Sequence, residues 1–271
     1  MSISLDLEAD KIEVPPSDSE LRQAIENGEF DLNIQLVYDM QKASFFGGEV
    51  LSRWKHPSKG ILLPREFIPA LHQCGRIRDL DLYMLGKTCR ILELLESSES
   101  SDLCLSCNLS RTTISEKDFC EQFRRILDNY HFEREKLIIE ITEDSITFDL
   151  ETARQNILNC KACGVCIALD DFGVGYTAFS DLCNFPIDCI KIDRSIITKA
   201  VSEQGESVLS ETVQLAHNLN MQVLCEGVET EQELAAVKRC GCDYIQGFYY
   251  CHALPVEQAV EFYLQNRADK S

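Results

Sequence analysis

Short apolar runs of strand length recur along this chain with longer segments of helical period between most of them, and that alternation restricts it to an α/β architecture. The runs fall at Leu32–Tyr38, Gly48–Arg53, Leu103–Leu109, Lys136–Ile141, Cys166–Asp170, Cys189–Ile192, Gln222–Cys225 and Tyr244–Ile245. Helices are expected at Pro64–Cys74, Asp79–Glu96, Glu116–Tyr130, Leu150–Cys163, Glu203–Asn220, Thr230–Cys240 and Val256–Asn266. Ser115 and Thr230 are placed as N-caps, Pro255 as a helix-opening proline, and Gly164 and Gly241 as stops. The Ser-rich break SSESSD at 97–102 is too brief to serve as an interdomain linker. Residues 1–17 read as a mobile leader and residues 18–271 as one domain, a (β/α)8-type barrel.

The 271 residues, 45% hydrophobic and 26% charged, can bury one large core. A net charge of -19 leaves no basic stripe to displace counterions from a nucleic-acid polymer. The N-terminus MSISLDLEADKIEV lacks the order of a signal peptide, and no apolar run approaches the ~20 residues of a membrane span, so a cytoplasmic location without membrane contact is expected. Three C-x-x-C spacings occur, Cys104/Cys107, Cys160/Cys163 and Cys163/Cys166. Strand alternation sends the first pair to opposite faces, and the last straddles a helix end and a strand, so free thiols in a reducing compartment are expected rather than zinc or disulfides.

Polar side chains interrupt the apolar runs at or near their ends. Asn108, Glu140, Asp170, Asp171, Lys191, Glu226 and Gln246 do so in later runs, with Gln35 and Glu49 earlier. In a parallel barrel the C-terminal strand ends share one rim, so these groups converge from distant parts of the sequence. Gathered carboxylates without counter-charge cost stability, which implies cations between them. Glu49, Asn108, Glu140, Asp170, Asp171 and Glu226 offer only oxygen, the ligand of hard divalent ions such as Mg²⁺ or Mn²⁺. Two such ions ~4 Å apart, bridged by one carboxylate, activate water and clamp a phosphodiester; Asp170 is the expected bridge. Gly173 and Gly175 would let the next loop turn tightly.

At these residues the sequence resembles the EAL-domain family of cyclic di-GMP phosphodiesterases. The resemblance runs from about Leu21 to Leu264, through EVLSRWKHPSKGILLPREFIP, CNLS, IIEITED, LDDFGVGY, FPIDCIKIDRS, CEGVETEQEL and GCDYIQGFYYCHALP. It implies a modified TIM barrel that hydrolyses cyclic di-GMP to linear pGpG with two Mg²⁺ or Mn²⁺ ions. By position, Glu49, Asn108, Glu140, Asp170, Asp171 and Glu226 match the metal ligands, Glu49 and Glu226 with catalytic weight. Lys191 matches the lysine at the attacking water and Arg53 an arginine on a substrate phosphate. Gln35, Leu51, Asp193 and Gln246 match the substrate-binding wall, and Glu143 and Glu229 loop anchors. The resemblance also implies a homodimer.

The family's Glu-Ala-Leu reads Glu49-Val50-Leu51, Gln35 is followed by Leu36 instead of proline, and the family's DDFGTGYSS reads DDFGVGYTA, which removes a hydroxyl at Val174. A rival reading, a receptor or adaptor that binds cyclic di-GMP or a protein without cleavage, would be favoured by loss of a ligand or the lysine; none is lost. His56 is expected as a loop residue, Trp54 as pointing away from Arg53, and the aromatics at 248–250 as core or as a guanine stack.

Overall fold

Branched and aliphatic side chains fill the predicted runs, and each becomes a strand of a computed structural model that describes residues 15–96, 98, 100, 102–141, 149–174 and 178–266. The strands are β1 Phe30–Asp39, β2 Ser44–His56, β3 Gly60–Leu62, β4 Cys104–Leu109, β5 Leu137–Ile141, β6 Cys166–Phe172, β7 Cys189–Ile192, β8 Gln222–Cys225, β9 Tyr244–Ile245 and β10 Leu254–Pro255. The helices are α1 Asp18–Glu26, α2 Pro64–Gln73, α3 Ile77–Glu96, α4 Arg111–Ile114, α5 Phe119–Leu127, α6 Leu150–Ala162, α7 Ala178–Asn184, α8 Arg194–Ile197, α9 Glu203–Asn218, α10 Glu231–Cys240 and α11 Val256–Gln265.

Hydrogen bonding runs β1-β9-β8-β7-β6-β5-β4-β2 and closes between β2 and β1, with β10 and β3 outside the ring. From β2 round to β9 the neighbours are parallel. The barrel is a modified TIM barrel, and the modification lies at β1, which runs antiparallel to both β2 and β9. The connection Met40–Ala43 is too short for a crossover, so β1 and β2 must form a hairpin. Strands β3 and β10 and helices α1, α4, α7 and α8 are additional to the predicted elements.

Caps explain several boundaries. Ser17 and Glu20 form a capping box on α1, and Thr230 and Glu233 another on α10, which ends at Gly241 with φ +77. Ser115 is not an N-cap: it closes α4 as its C-cap, because Ser110 caps the start of that helix and Asp118 precedes α5. All fourteen cysteines are unpaired; Cys89, Cys107, Cys160, Cys225, Cys240, Cys242 and Cys251 are buried as small apolar groups.

Alternation along each strand sorts the barrel into layers. Ile139, Ile141, Leu169, Ile190, Ile192 and Cys225 lie one position from the polar residues and belong to the apolar core. Two positions before the polar residues stand Gly47, Ser106, Ala168, Cys189 and Leu224, mostly small, and they line a cavity of about 90 Å³ that reaches Glu140 and Lys191. The barrel therefore has room beneath its polar layer.

Candidate active site

The polar layer is assembled from seven strands or their C-terminal exits. Glu49 comes from the middle of β2, Asn108 from β4, Glu140 from β5, Asp170 and Asp171 from β6, Lys191 from β7, and Glu226 and Gln246 follow β8 and β9. Gln35 on inverted β1 stands opposite Glu49 in the hairpin register. Gln35 and Glu49 are thus mid-strand groups rather than strand-end ones, since β1 and β2 extend well past the barrel.

Adjacent acids on a regular strand point to opposite faces. Here the β6–β7 register shifts between Leu169 and Phe172, and Asp171 has φ +52. This bulge re-aims the backbone so that both acids serve one site, and Asp170 Oδ1 accepts from the Asp171 N–H at 3.0 Å. Gly173 continues the turn at φ +99. Gly175 and Glu143 lie outside the described residues.

Lys191, only 1% exposed, is the hub. Its Nζ lies 2.7 Å from Glu226 Oε1, 2.9 Å from Glu140 Oε2, 3.0 Å from Asp170 Oδ1 and 3.3 Å from Glu49 Oε2. Burial opposes its charge, but the surrounding carboxylates prevail and hold its proton well above the ordinary lysine range. Burial also acts on Glu49, yet Lys191 and donors from Gln246 and Asn108 keep its carboxyl below the usual range. Asn108 Nδ2 donates to Glu49 Oε1 at 2.9 Å and Gln246 Nε2 to Oε2 at 2.8 Å.

The other acids respond differently. Burial, reinforced by Glu49, pushes Glu140 well above the carboxylate range. Burial lifts Glu226 to about 8 against the pull of Lys191, and burial with the charge of Asp170 lifts Asp171 to about 6. One lysine cannot neutralise this many acids.

Two groups among the described residues bring carboxylate oxygens within 4.8 Å of one another, Glu49/Glu140/Asp170 and Asp170/Asp171/Glu226. Asp170 belongs to both. The oxygen-only donors suit hard divalent ions, and Gln246 Oε1, buried without a hydrogen-bond partner, leaves an acceptor for a bound water or substrate donor. These clusters could hold metal ions.

Around the cluster, Leu51 and Arg53 follow Glu49 on the same face of β2. Arg53 is half-buried and donates to the Ser52 carbonyl at 2.8 Å. Leu51, Ser52, Pro64, Leu80, Met84 and Asn108 border a hollow of about 230 Å³. Asp193 accepts from the Ser195 N–H at 2.8 Å as the cap of α8, and its charge contributes to lifting Asp171. Glu229 pairs with Arg194.

The sequence reading passed over Asp81, which accepts from Ser110 N at 3.0 Å, Ser110 Oγ at 2.7 Å and Thr113 Oγ1 at 2.6 Å, pinning the turn after Asn108. An acid inside the apolar stripe of α3 was the available signal. Arg111, buried against Asp181 at 2.5 Å, ties α4 to α7. Trp54 is buried away from Arg53; His56 ends β2 and is not a loop residue. The aromatics divide: Tyr250 stacks on Tyr38 at 4.2 Å, while Phe248 and Tyr249 are exposed.

A closed barrel with carboxylates gathered round one lysine defines an α/β-barrel domain with a candidate divalent-metal centre. The EAL domain family model matches residues 18–253, and the chain belongs to that family. The cyclic di-GMP phosphodiesterase NbdA of Pseudomonas aeruginosa is 29% identical over 253 residues, 93% of this chain and 32% of NbdA. RocR of the same organism, also named a cyclic di-GMP phosphodiesterase, is 26% identical over 250 residues, 91% of this chain and 63% of RocR. The chain therefore spans about a third of NbdA and under two thirds of RocR. Among solved structures, the PaMucR phosphodiesterase in complex with c-di-GMP matches at TM-score 0.81 and 31% identity, over 89% of this chain and 98% of that one. An EAL domain protein from Listeria monocytogenes matches at TM-score 0.82 and 25% identity, over 93% and 99% of the two chains. Among the described residues no helix is long and apolar enough to cross a membrane.

Proposed function

We propose that this chain hydrolyses cyclic di-GMP to linear pGpG, using two Mg²⁺ or Mn²⁺ ions held by Glu49, Asn108, Glu140, Asp170, Asp171 and Glu226. The observation that carries the reading is the meeting of carboxylates around Lys191 with two oxygen groups sharing Asp170. The names of the relatives and the c-di-GMP in the PaMucR complex support the choice of substrate.

When bound, such ions supply a water of lowered pKa and offset charge on the phosphate. Lys191, whose proton is held by its acid neighbours, acts as a fixed positive charge beside the attacking oxygen and the developing phosphorane, not as an acid. Glu226 would serve in its ionised form as one of the carboxylates that hold the ions, a neighbouring cation offsetting the burial that lifts its carboxyl. Arg53 offers a phosphate its forked donors from the face of β2 that carries Glu49. Leu51, Gln35, Gln246 and Asp193 border the substrate, and Glu229 anchors a loop through Arg194. The water oxygen bonds to phosphorus, the P–O3′ bond breaks, and the 3′ oxygen leaves as a hydroxyl, which gives pGpG.

Incubation with cyclic di-GMP and Mg²⁺, Mn²⁺ or EDTA, followed by product chromatography, tests the reading. Conversion to pGpG with an ion and none in EDTA is expected. Binding of the dinucleotide without product would replace the enzyme with a receptor, and neither binding nor product would remove the substrate assignment.

A further inference from the structure

One short segment touches two of the loops that carry the acids. After β7 the chain passes through Asp193 into α8, and Arg194 and Ile196 leave that turn toward different neighbours. Ile196 lies over Gly173: a Cβ built on that glycine would come within 2.3 Å of Ile196 Cδ1. Arg194 lies over Gly227: a Cβ there would meet its Cβ and Cγ at 2.6 Å and its Cδ at 2.8 Å. Gly173 follows Asp170 and Asp171, and Gly227 follows Glu226. Both glycines are at positive φ, +99 and +66. Glycine backbone of this kind has many alternatives, and a side chain seated on it removes them. Arg194 also grips Glu229 through both terminal nitrogens, so its stem is held across Gly227.

We propose that Arg194 and Ile196 are positioning residues, a strut that sets the separation of Asp170 and Asp171 from Glu226 and so tunes affinity for divalent ions. The inference rests on the metal-dependent reading above and deepens it. Neither side chain touches the reacting atoms. Each limits where a ligand-bearing loop can sit, and ligands held in place before the ion arrives lose less freedom on binding.

The test is calorimetric titration of the full chain, stripped with EDTA, with Mn²⁺ alone, alongside thermal melting in EDTA and cyclic di-GMP turnover at saturating Mn²⁺. Ile196→Ala and Arg194→Ala should each weaken Mn²⁺ binding at least about ten-fold, as loss of a group supporting metal ligands does, while kcat at saturating ion falls less than the affinity. Ile196→Leu should recover most of the affinity by refilling the space over Gly173. Arg194→Lys should recover less, because the fork on Glu229 is lost. Arg239→Ala, which breaks a comparable forked pair with Glu206 on α9 and α10, should leave Mn²⁺ affinity unchanged. If Ile196→Ala does not fold, Ile196→Val reads the same direction with a smaller shift. Variants that bind Mn²⁺ as the wild type does, whatever their melting temperatures, overturn the strut. A wild type that binds no Mn²⁺ overturns the metal reading instead, so the two failures are distinguishable.

Discussion

The two halves of β2 bury polar groups in opposite ways. In the half beyond the barrel, Trp54 is stacked on Phe30 at 5.3 Å and its Nε1 donates to Glu29 at 3.0 Å. His56 Nδ1 accepts from the N–H groups of Ser58 and Lys59, each at 3.2 Å, which leaves Nε2 to donate to Glu20 at 2.9 Å. The Trp54 indole N–H and the His56 ring thus both have partners there. In the half inside the barrel, Glu49 shares Lys191 with three other acids, and Gln246 Oε1 has no partner. Matched burial holds the hairpin together; unmatched burial is tolerable only where something else is to be bound.

Breaking the hub should produce the largest effect. Lys191→Met should lower kcat at least about 10³-fold with little change in KM, because a preorganised charge acts mainly in the transition state. Steady-state kinetics checks this, and an effect confined to KM would contradict the role. Trp54→Ala should do the reverse, costing about 3–5 kcal/mol of stability while kcat in the folded protein is retained. Urea unfolding and turnover, measured together, separate the two halves; loss of kcat in folded Trp54→Ala would erase the contrast.

Proton linkage sharpens the comparison further. Glu226 and Asp171 titrate higher in the folded protein, about 8 and about 6, than carboxylates in an unfolded chain. The folded state therefore binds more protons between the ordinary carboxylate range and pH 8, and stability falls as pH rises through that window. In EDTA the melting temperature should drop by about 5 °C from pH 5.5 to 8.5. Saturating Mg²⁺ should flatten the slope, and Glu226→Gln should reduce it while abolishing turnover. A slope unchanged by ion and by substitution would mean that these acids are not the unbalanced group.

The smallest expected effect is at Val174, 60% exposed, whose N–H donates to the Asp171 carbonyl at 3.2 Å. Val174→Thr restores a hydroxyl to the loop and should tighten Mn²⁺ binding by about two- to three-fold, the scale of a single exposed hydrogen bond. An unaltered titration would remove that idea.

Most strands were legible because their apolar runs are bounded by turn or helix signals. The direction of β1 was also legible in principle, since Met40–Ala43 leaves no room for a crossover. Helix α4 was missed because it is one turn long, and Ser115 was misplaced because a serine can cap a start or end a turn equally well. The β6 bulge had no signature beyond the acids it redirects. Arg194 and Ile196 resembled ordinary surface and core residues, since their significance lies in two glycines far from them in sequence.

The order of residues by itself determined the alternation of strands and helices, the acidic surplus and the oxygen-only set of candidate ligands, because periodicity and side-chain chemistry are local properties. Only the tertiary structure decided that β1 is inverted, that Asp170 and Asp171 share one site, and that Lys191 stands among four carboxylates. Those outcomes depend on barrel closure and register, which bring together atoms that no local pattern relates.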